Sequence, residues 1–142
     1  MLLIKASEFW LIWRMSLQTA LYAYGMSELQ AKNTSGQFAA MARSLGVAQD
    51  QAAEMALTLT GLTGDLASFW NTSQDVASTA LASVFTGETE SLKKYGVVMT
   101  EANLQQFAYA NGITKSISAM TQAEKTMLRY QYVLDATSVA QE

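Results

Sequence analysis

The chain is predicted to be all-α, several short to medium helices packed as hairpins with no sheet, and three observations lead there. Its 142 residues contain no proline, which removes the commonest helix breaker and disfavours a loop-rich β architecture. Apolar residues recur in alternating steps of three and four through the middle of the chain, while the strict alternation of a half-buried strand is almost absent. Glycines and capping residues fall where one helix must close and the next must open.

In order, residues 2 to 24 read as a first apolar helix closed by Gly25. It holds Leu2-Leu3-Ile4 and Phe9-Trp10-Leu11-Ile12-Trp13, interrupted by Lys5, Glu8 and Arg14. A signal peptide requires an unbroken apolar run after a basic start, and a membrane span requires roughly 20 apolar residues in succession. The interspersed charges deny both. A buried helix is the reading of this segment, with an interfacial amphipathic helix as the alternative.

Ser27 is placed to cap a second helix with Leu29, Phe38, Met41 and Leu45 on its apolar side and Gly46 at its end. Asn33 to Gly36 is a weak stretch within it, since a mid-helix glycine costs about 1 kcal/mol relative to alanine. The third segment carries a seam: Ala52, Met55, Leu59, Leu62, Leu66 and Phe69 lie along one side of a helix. Two readings stay open, the core stripe of an antiparallel hairpin and an extended coiled coil. Gly61 and Gly64 sit mid-helix, where they either weaken it or admit a close neighbour.

Ser73 caps a short helix with Val76, Ala80, Leu81, Val84 and Phe85 inward, ending at Gly87. Residues 88 to 95 supply another turn or two. Glu88 and Glu90 lie toward its positive end, Lys93 and Lys94 toward its negative end, and Glu90 with Lys94 makes an i,i+4 pair. Gly96 stops it, and Val97-Val98-Met99 is β-like but too short for a sheet. Thr100 caps a helix presenting Leu104, Phe107 and Ala108, closed by Asn111-Gly112, and Ile113 to Met120 is a linker. Thr121-Gln122-Ala123-Glu124 is a capping box. The helix it opens aligns Ala123, Met127, Tyr130 and Leu134 and is expected to run off the end of the chain.

Composition narrows the function classes. Half the residues are apolar and 15% are charged, which argues against intrinsic disorder, although an alanine-rich apolar share predicts a lean core. A net charge of −3 with interspersed signs lacks the concentrated Lys/Arg that displaces phosphate counterions, so nucleic acid is not an expected partner. With no cysteine and no histidine there are no disulfides, thiol nucleophiles, Cys/His zinc sites or His-based triads. A carboxylate pair is the remaining enzymatic option. Glu88 and Glu90 are two apart on a short helix and diverge, Asp65 lies beside the seam and Glu101 follows a cap. None of them stands poised opposite another. The glycines at Ser35-Gly36, Gly61 to Gly64 and Gly87 follow no strand and precede no Gly-Lys-Ser/Thr, so nucleotide binding has no support. No catalytic residue, cofactor or metal is expected. Asn33-Thr34-Ser35 and Asn71-Thr72-Ser73 match glycosylation sequons by pattern only. The eight methionines read as core filling, with an adaptable partner surface as the alternative.

From Gly25 onward, the order of phrases resembles a segment of long-tailed phage tape measure proteins. The resemblance rests on Gly25-Met26-Ser27-Glu28-Leu29, Gln37-Phe38 through Gly46, Leu62-Thr63-Gly64-Asp65-Leu66-Ala67-Ser68-Phe69-Trp70-Asn71, and Ser73 through Val84. It continues in the run from Thr86 to Leu104 and closes with Met120-Thr121-Gln122-Ala123-Glu124-Lys125-Thr126-Met127-Leu128-Arg129-Tyr130. Its most specific parts are Gly87-Glu88-Thr89-Glu90 with Leu92-Lys93-Lys94 and Gly96, and the box from Thr121 to Lys125. Residues 1 to 24 fall outside it, leaving 25 to 142 as a tape-measure-like module.

The resemblance implies a non-catalytic structural role in tail length determination, tail tube assembly and genome delivery, within the virion tail and in the host cytoplasm during assembly. Tail tube and baseplate proteins, assembly chaperones and further copies of the chain are the implied partners. A membrane-active amphipathic module is the alternative, resting on residues 1 to 24. Even as one helix, 142 residues would span only about 210 Å, too short to measure a long tail alone. Ser73 to Gly112 is expected to be the compact part. Ala52, Met55, Leu59, Leu62, Leu66 and Phe69, with Met127, Tyr130 and Leu134 of the last helix, are the candidate helix-packing and self-association residues.

Overall fold

In the computed structural model, which describes residues 28–140, every regular element is helical. The helices are α1 (Glu28–Ser44), α2 (Gln49–Phe69), α3 (Gln74–Leu81), α4 (Ser83–Thr86), α5 (Glu101–Ala110) and α6 (Gln122–Ala136). Two 3-10 segments, Thr89–Tyr95 and Ile117–Ala119, join them, and no strand occurs among the described residues. The all-α expectation holds. The helix expected over residues 2 to 24 and the cap at Ser27 lie outside the described residues.

Helix ends follow the local chemistry of the sequence. Ser73 accepts a hydrogen bond from the Val76 N–H, Thr100 from that of Asn103, and Thr121 from that of Glu124, whose carboxylate returns to the Thr121 N–H at 3.1 Å. At four exits the same backbone bond closes the turn. Val47 donates to the Ala42 carbonyl, Thr72 to Ala67, Val97 to Leu92 and Ile113 to Ala108. The preceding residue is left-handed each time: Gly46, Asn71, Gly96 and Gly112. Val47 and Val97 then turn inward and are buried, so each stop also places an apolar anchor.

Helices α1 and α2 form a hairpin with Phe38 and Ala42 in the same buried core as the α2 seam, and α3 also packs on α2. The α3 face differs by one position from the expected one: Ala77 is fully buried and Val76 is 38% exposed. The chain also bends at Ala82, so that α4 is a separate turn delivering Val84 and Phe85, with the Phe85 ring 6.0 Å from Phe38. Helix α6 ends at Ala136 with Thr137 as its cap and does not run off the end. One core cluster runs from Phe38 to Val133. The compact part is therefore not confined to Ser73–Gly112, because α2 supplies much of its interior.

The segment after Gly87 winds as a 3-10 helix, which changes its ion pair. Lys93 reaches Glu90 at 2.9 Å, an i,i+3 pair, in place of the expected Glu90–Lys94 pair. Three residues per turn put i and i+3 above one another, whereas i+4 has rotated away. Arg129 of α6 reaches the turn before this segment, donating from Nη1 to the Val84 carbonyl of α4 at 3.2 Å. Gly87 has φ +82°, and a Cβ there would stand 3.2 Å from Arg129 Nη2.

Two glycines should thus respond oppositely to alanine. Gly87→Ala adds a left-handed penalty of about 1–2 kcal/mol and crowds Arg129, so its urea midpoint should fall. Gly36 lies within α1 with nothing within 4 Å of a Cβ, so Gly36→Ala should gain up to about 1 kcal/mol. Midpoints shifting in the same direction would contradict this assignment.

Candidate functional site

A helix of 21 residues with buried positions all round its second half must satisfy its polar groups internally. Thr60 and Thr63 are fully buried, and each hydroxyl donates to the carbonyl four residues earlier, Ala56 at 2.6 Å and Leu59 at 2.8 Å. Thr126 and Thr137 do the same on Gln122 and Val133. A threonine bonded this way presents its methyl group outward and packs as an apolar residue. The buried line of α6 is accordingly Thr126, Tyr130, Val133 and Thr137, with Leu128 beside it. Of the expected line, Tyr130 is buried, and Ala123, Met127 and Leu134 are half-buried at its margin.

The expected packing residues of α2 mostly face the chain's own interior. Ala52, Met55, Leu59, Leu62 and Leu66 are buried, as the hairpin reading required. A pairing surface between chains would need those side chains outside. Phe69 differs, being 55% exposed at the end of α2. Its ring lies edge-on to Trp70 at 5.6 Å, and Trp70 is likewise edge-on to Tyr95 at 6.4 Å. The Tyr95 hydroxyl meets that of Thr72 at 2.9 Å, tying the α2 exit to the 3-10 segment. Burial raises the Tyr130 phenol above its ordinary pKa, against a hydrogen bond with Thr58 and reinforced by the charge of Glu54.

Two features lie beyond the seam. Asp65 sits among buried Gly61, Gly64 and Leu66, and burial raises its carboxyl from 3.8 to about 6. The second is an open groove of about 650 Å³ between the α1–α2 turn, the end of α5 and one side of α6. Val47, Phe107, Ile113, Met120 and Met127 line its apolar part, with Gln51, Asn111, Glu124 and Gln131 among its polar lining. Its volume falls in the range of small-molecule pockets, roughly 300–1,000 Å³. Hydrogen bonding from Lys115, at 2.9 Å, and from the Thr121 N–H hold the Glu124 carboxyl below its usual range. The groove was not foreseen because Ile113–Met120 reads as linker. The available signal was Ile113, Ile117 and Met120 at helical spacing, and the latter two are buried.

Glu88 and Glu101 are exposed and Glu90 is exposed at its side chain, the first and last of these preceding and opening separate helical segments, with Glu90 in the first turn of the 3-10 segment and Glu101 at the start of α5. Among the described residues no group of three acidic side chains is arranged to hold a metal ion, and no helix is long and apolar enough to cross a membrane. Comparison with family models, curated proteins and solved structures found no match for the chain.

The pH dependence of stability isolates Asp65. Its folded pKa is raised, so the folded state holds the proton more tightly, and its contribution is lost as pH rises from 3.8 toward about 6. Glu124 acts with the opposite sign. The difference in thermal midpoint between Asp65→Asn and the parent should therefore grow in favour of the variant across that window and level off above it. A difference independent of pH would contradict the burial of Asp65. Its partial exposure keeps the effect modest.

Proposed function

We propose that the chain is a structural module of the tail of a long-tailed phage or prophage, a segment of a tape measure protein acting in tail length determination and tail tube assembly. The observation that carries this reading is the order of two phrases, Gly87-Glu88-Thr89-Glu90 through Lys93-Lys94 to Gly96, followed by the box from Thr121 to Lys125. Both phrases consist of residues with a local conformational task. Gly87 and Gly96 are left-handed, Glu90 and Lys93 pair across one 3-10 turn, and Thr121 with Glu124 closes a capping box. Such residues preserve a shape whatever the rest of the surface does, which suits a structural part better than a reactive one.

In this reading the module performs no chemistry and needs no cofactor. Its partners are tail tube and baseplate proteins, assembly chaperones and other copies of the protein, and it resides in the virion tail after assembly in the host cytoplasm. Because the α2 seam is buried within the chain, contact with partners falls to the exposed side chains, Phe69 and Trp70 among them.

The test is mass spectrometry of tails purified from the phage or induced prophage that encodes the chain. Peptides from residues 28–140 should copurify with tail tube protein at constant ratio through a density gradient. Their confinement to the soluble lysate, with intact tails lacking them, would overturn the proposal.

A further inference from the structure

The chain contains a single Asn-Gly dipeptide, Asn111-Gly112, and both residues are exposed at the end of α5. The other asparagines precede larger residues, Thr34, Thr72 and Leu104. Glycine matters chemically because it leaves the following main-chain nitrogen unshielded. Nothing lies within 4 Å of where a Gly112 Cβ would stand, so water and hydroxide have free access.

The native geometry holds both reacting groups away from each other. The Asn111 side-chain amide donates from Nδ2 to the Phe107 carbonyl at 2.8 Å. The Gly112 N–H donates to the Tyr109 carbonyl at 3.1 Å, and the Ile113 N–H to that of Ala108 at 2.8 Å. Attack requires the Gly112 nitrogen to lose its proton and approach the Asn111 side-chain carbon, so both hydrogen bonds must open first. The last turn of a ten-residue helix is where such opening is easiest.

We infer that Asn111-Gly112 is a spontaneous deamidation site gated by the end of α5. The deprotonated Gly112 nitrogen attacks Asn111 Cγ. The new C–N bond closes a succinimide as the Cγ–Nδ2 bond breaks, and Nδ2 leaves as ammonia after taking up a proton from solvent. Water then opens the ring. Cleavage at Cγ gives aspartate, and cleavage at the main-chain carbonyl gives isoaspartate. The sum is amide plus water giving carboxylic acid plus ammonia, with no change of oxidation state.

The product does not fit the site that made it. A carboxylate has no proton to donate to the Phe107 carbonyl, and it sits at the negative end of the α5 dipole. Isoaspartate also adds a carbon to the main chain between the bonds made by Gly112 and Ile113. Conversion therefore unlatches the end of α5, and with it Phe107 and Ile113, one wall of the groove. The step is irreversible, so it records how often this turn has opened.

The experiment incubates the 142-residue chain in mildly alkaline buffer with and without urea, and follows the peptides containing Asn71 and Asn111 by peptide mapping. Conversion at Asn111 should be roughly tenfold slower in the folded chain than in urea, with Asn71 unchanged as internal control. Folded and unfolded rates within about twofold of each other, or no conversion in urea, would overturn the inference. Asn111→Gln should abolish conversion. Asn111→Asp, which carries the product charge, should speed amide exchange at residues 111–113 without speeding it in α6. Unchanged exchange at those residues would overturn the unlatching.

Discussion

Helix α2 cannot face water on most of its surface, and the other elements are arranged by that constraint. Met55, Leu59, Leu62 and Leu66 need apolar cover, and between them Thr60 and Thr63 are buried too. The threonines are tolerated because each hydroxyl finds a carbonyl in its own helix. Cover comes from α1 through Phe38 and Ala42 and from α3 through Ala77 and Leu81, while Tyr130 of α6 reaches Thr58. With no cysteine to form a cross-link, this packing carries the stability of the described fold.

Much of the local architecture was legible because it depends on neighbouring residues. Ser73, Thr100 and the Thr121 box cap helices by bonding three residues ahead, and Gly46, Gly87, Gly96 and Gly112 stop them by conformations that need no distant partner. What depends on distant contacts was harder to read. Which residue of α3 faces inward, Ala77 and not Val76, is set by where that helix docks on α2, which neighbouring residues do not encode. The pairing of Lys93 with Glu90 follows from a 3-10 winding set between two left-handed glycines. The buried line of α6 escaped notice because Thr126 and Thr137 look polar until their hydroxyls are seen bonded to their own helix.

The candidate site shows the same division. The seam was visible as a stripe, and the hairpin reading of it matches the observed burial. The groove was not, because its walls come from three separate stretches brought together by the α1–α2 turn, the end of α5 and α6. Arg129 illustrates why such features are long-range: it belongs to α6 yet caps the carbonyl of Val84, and burial lowers its pKa without removing its charge at neutral pH. The proposed structural role rests on the order of the phrases from Gly87 to Gly96 and from Thr121 to Lys125.

The claim that α2 organises the fold is tested most directly by native-state hydrogen exchange resolved by residue. Amides of Met55 to Ala67 should be the slowest in the described chain and exchange only through global unfolding, ahead in protection of α5 and the 3-10 segments. If those α2 amides exchanged as fast as the amides of Glu101–Ala110, α2 would not be the element on which the others depend, and the account would fail.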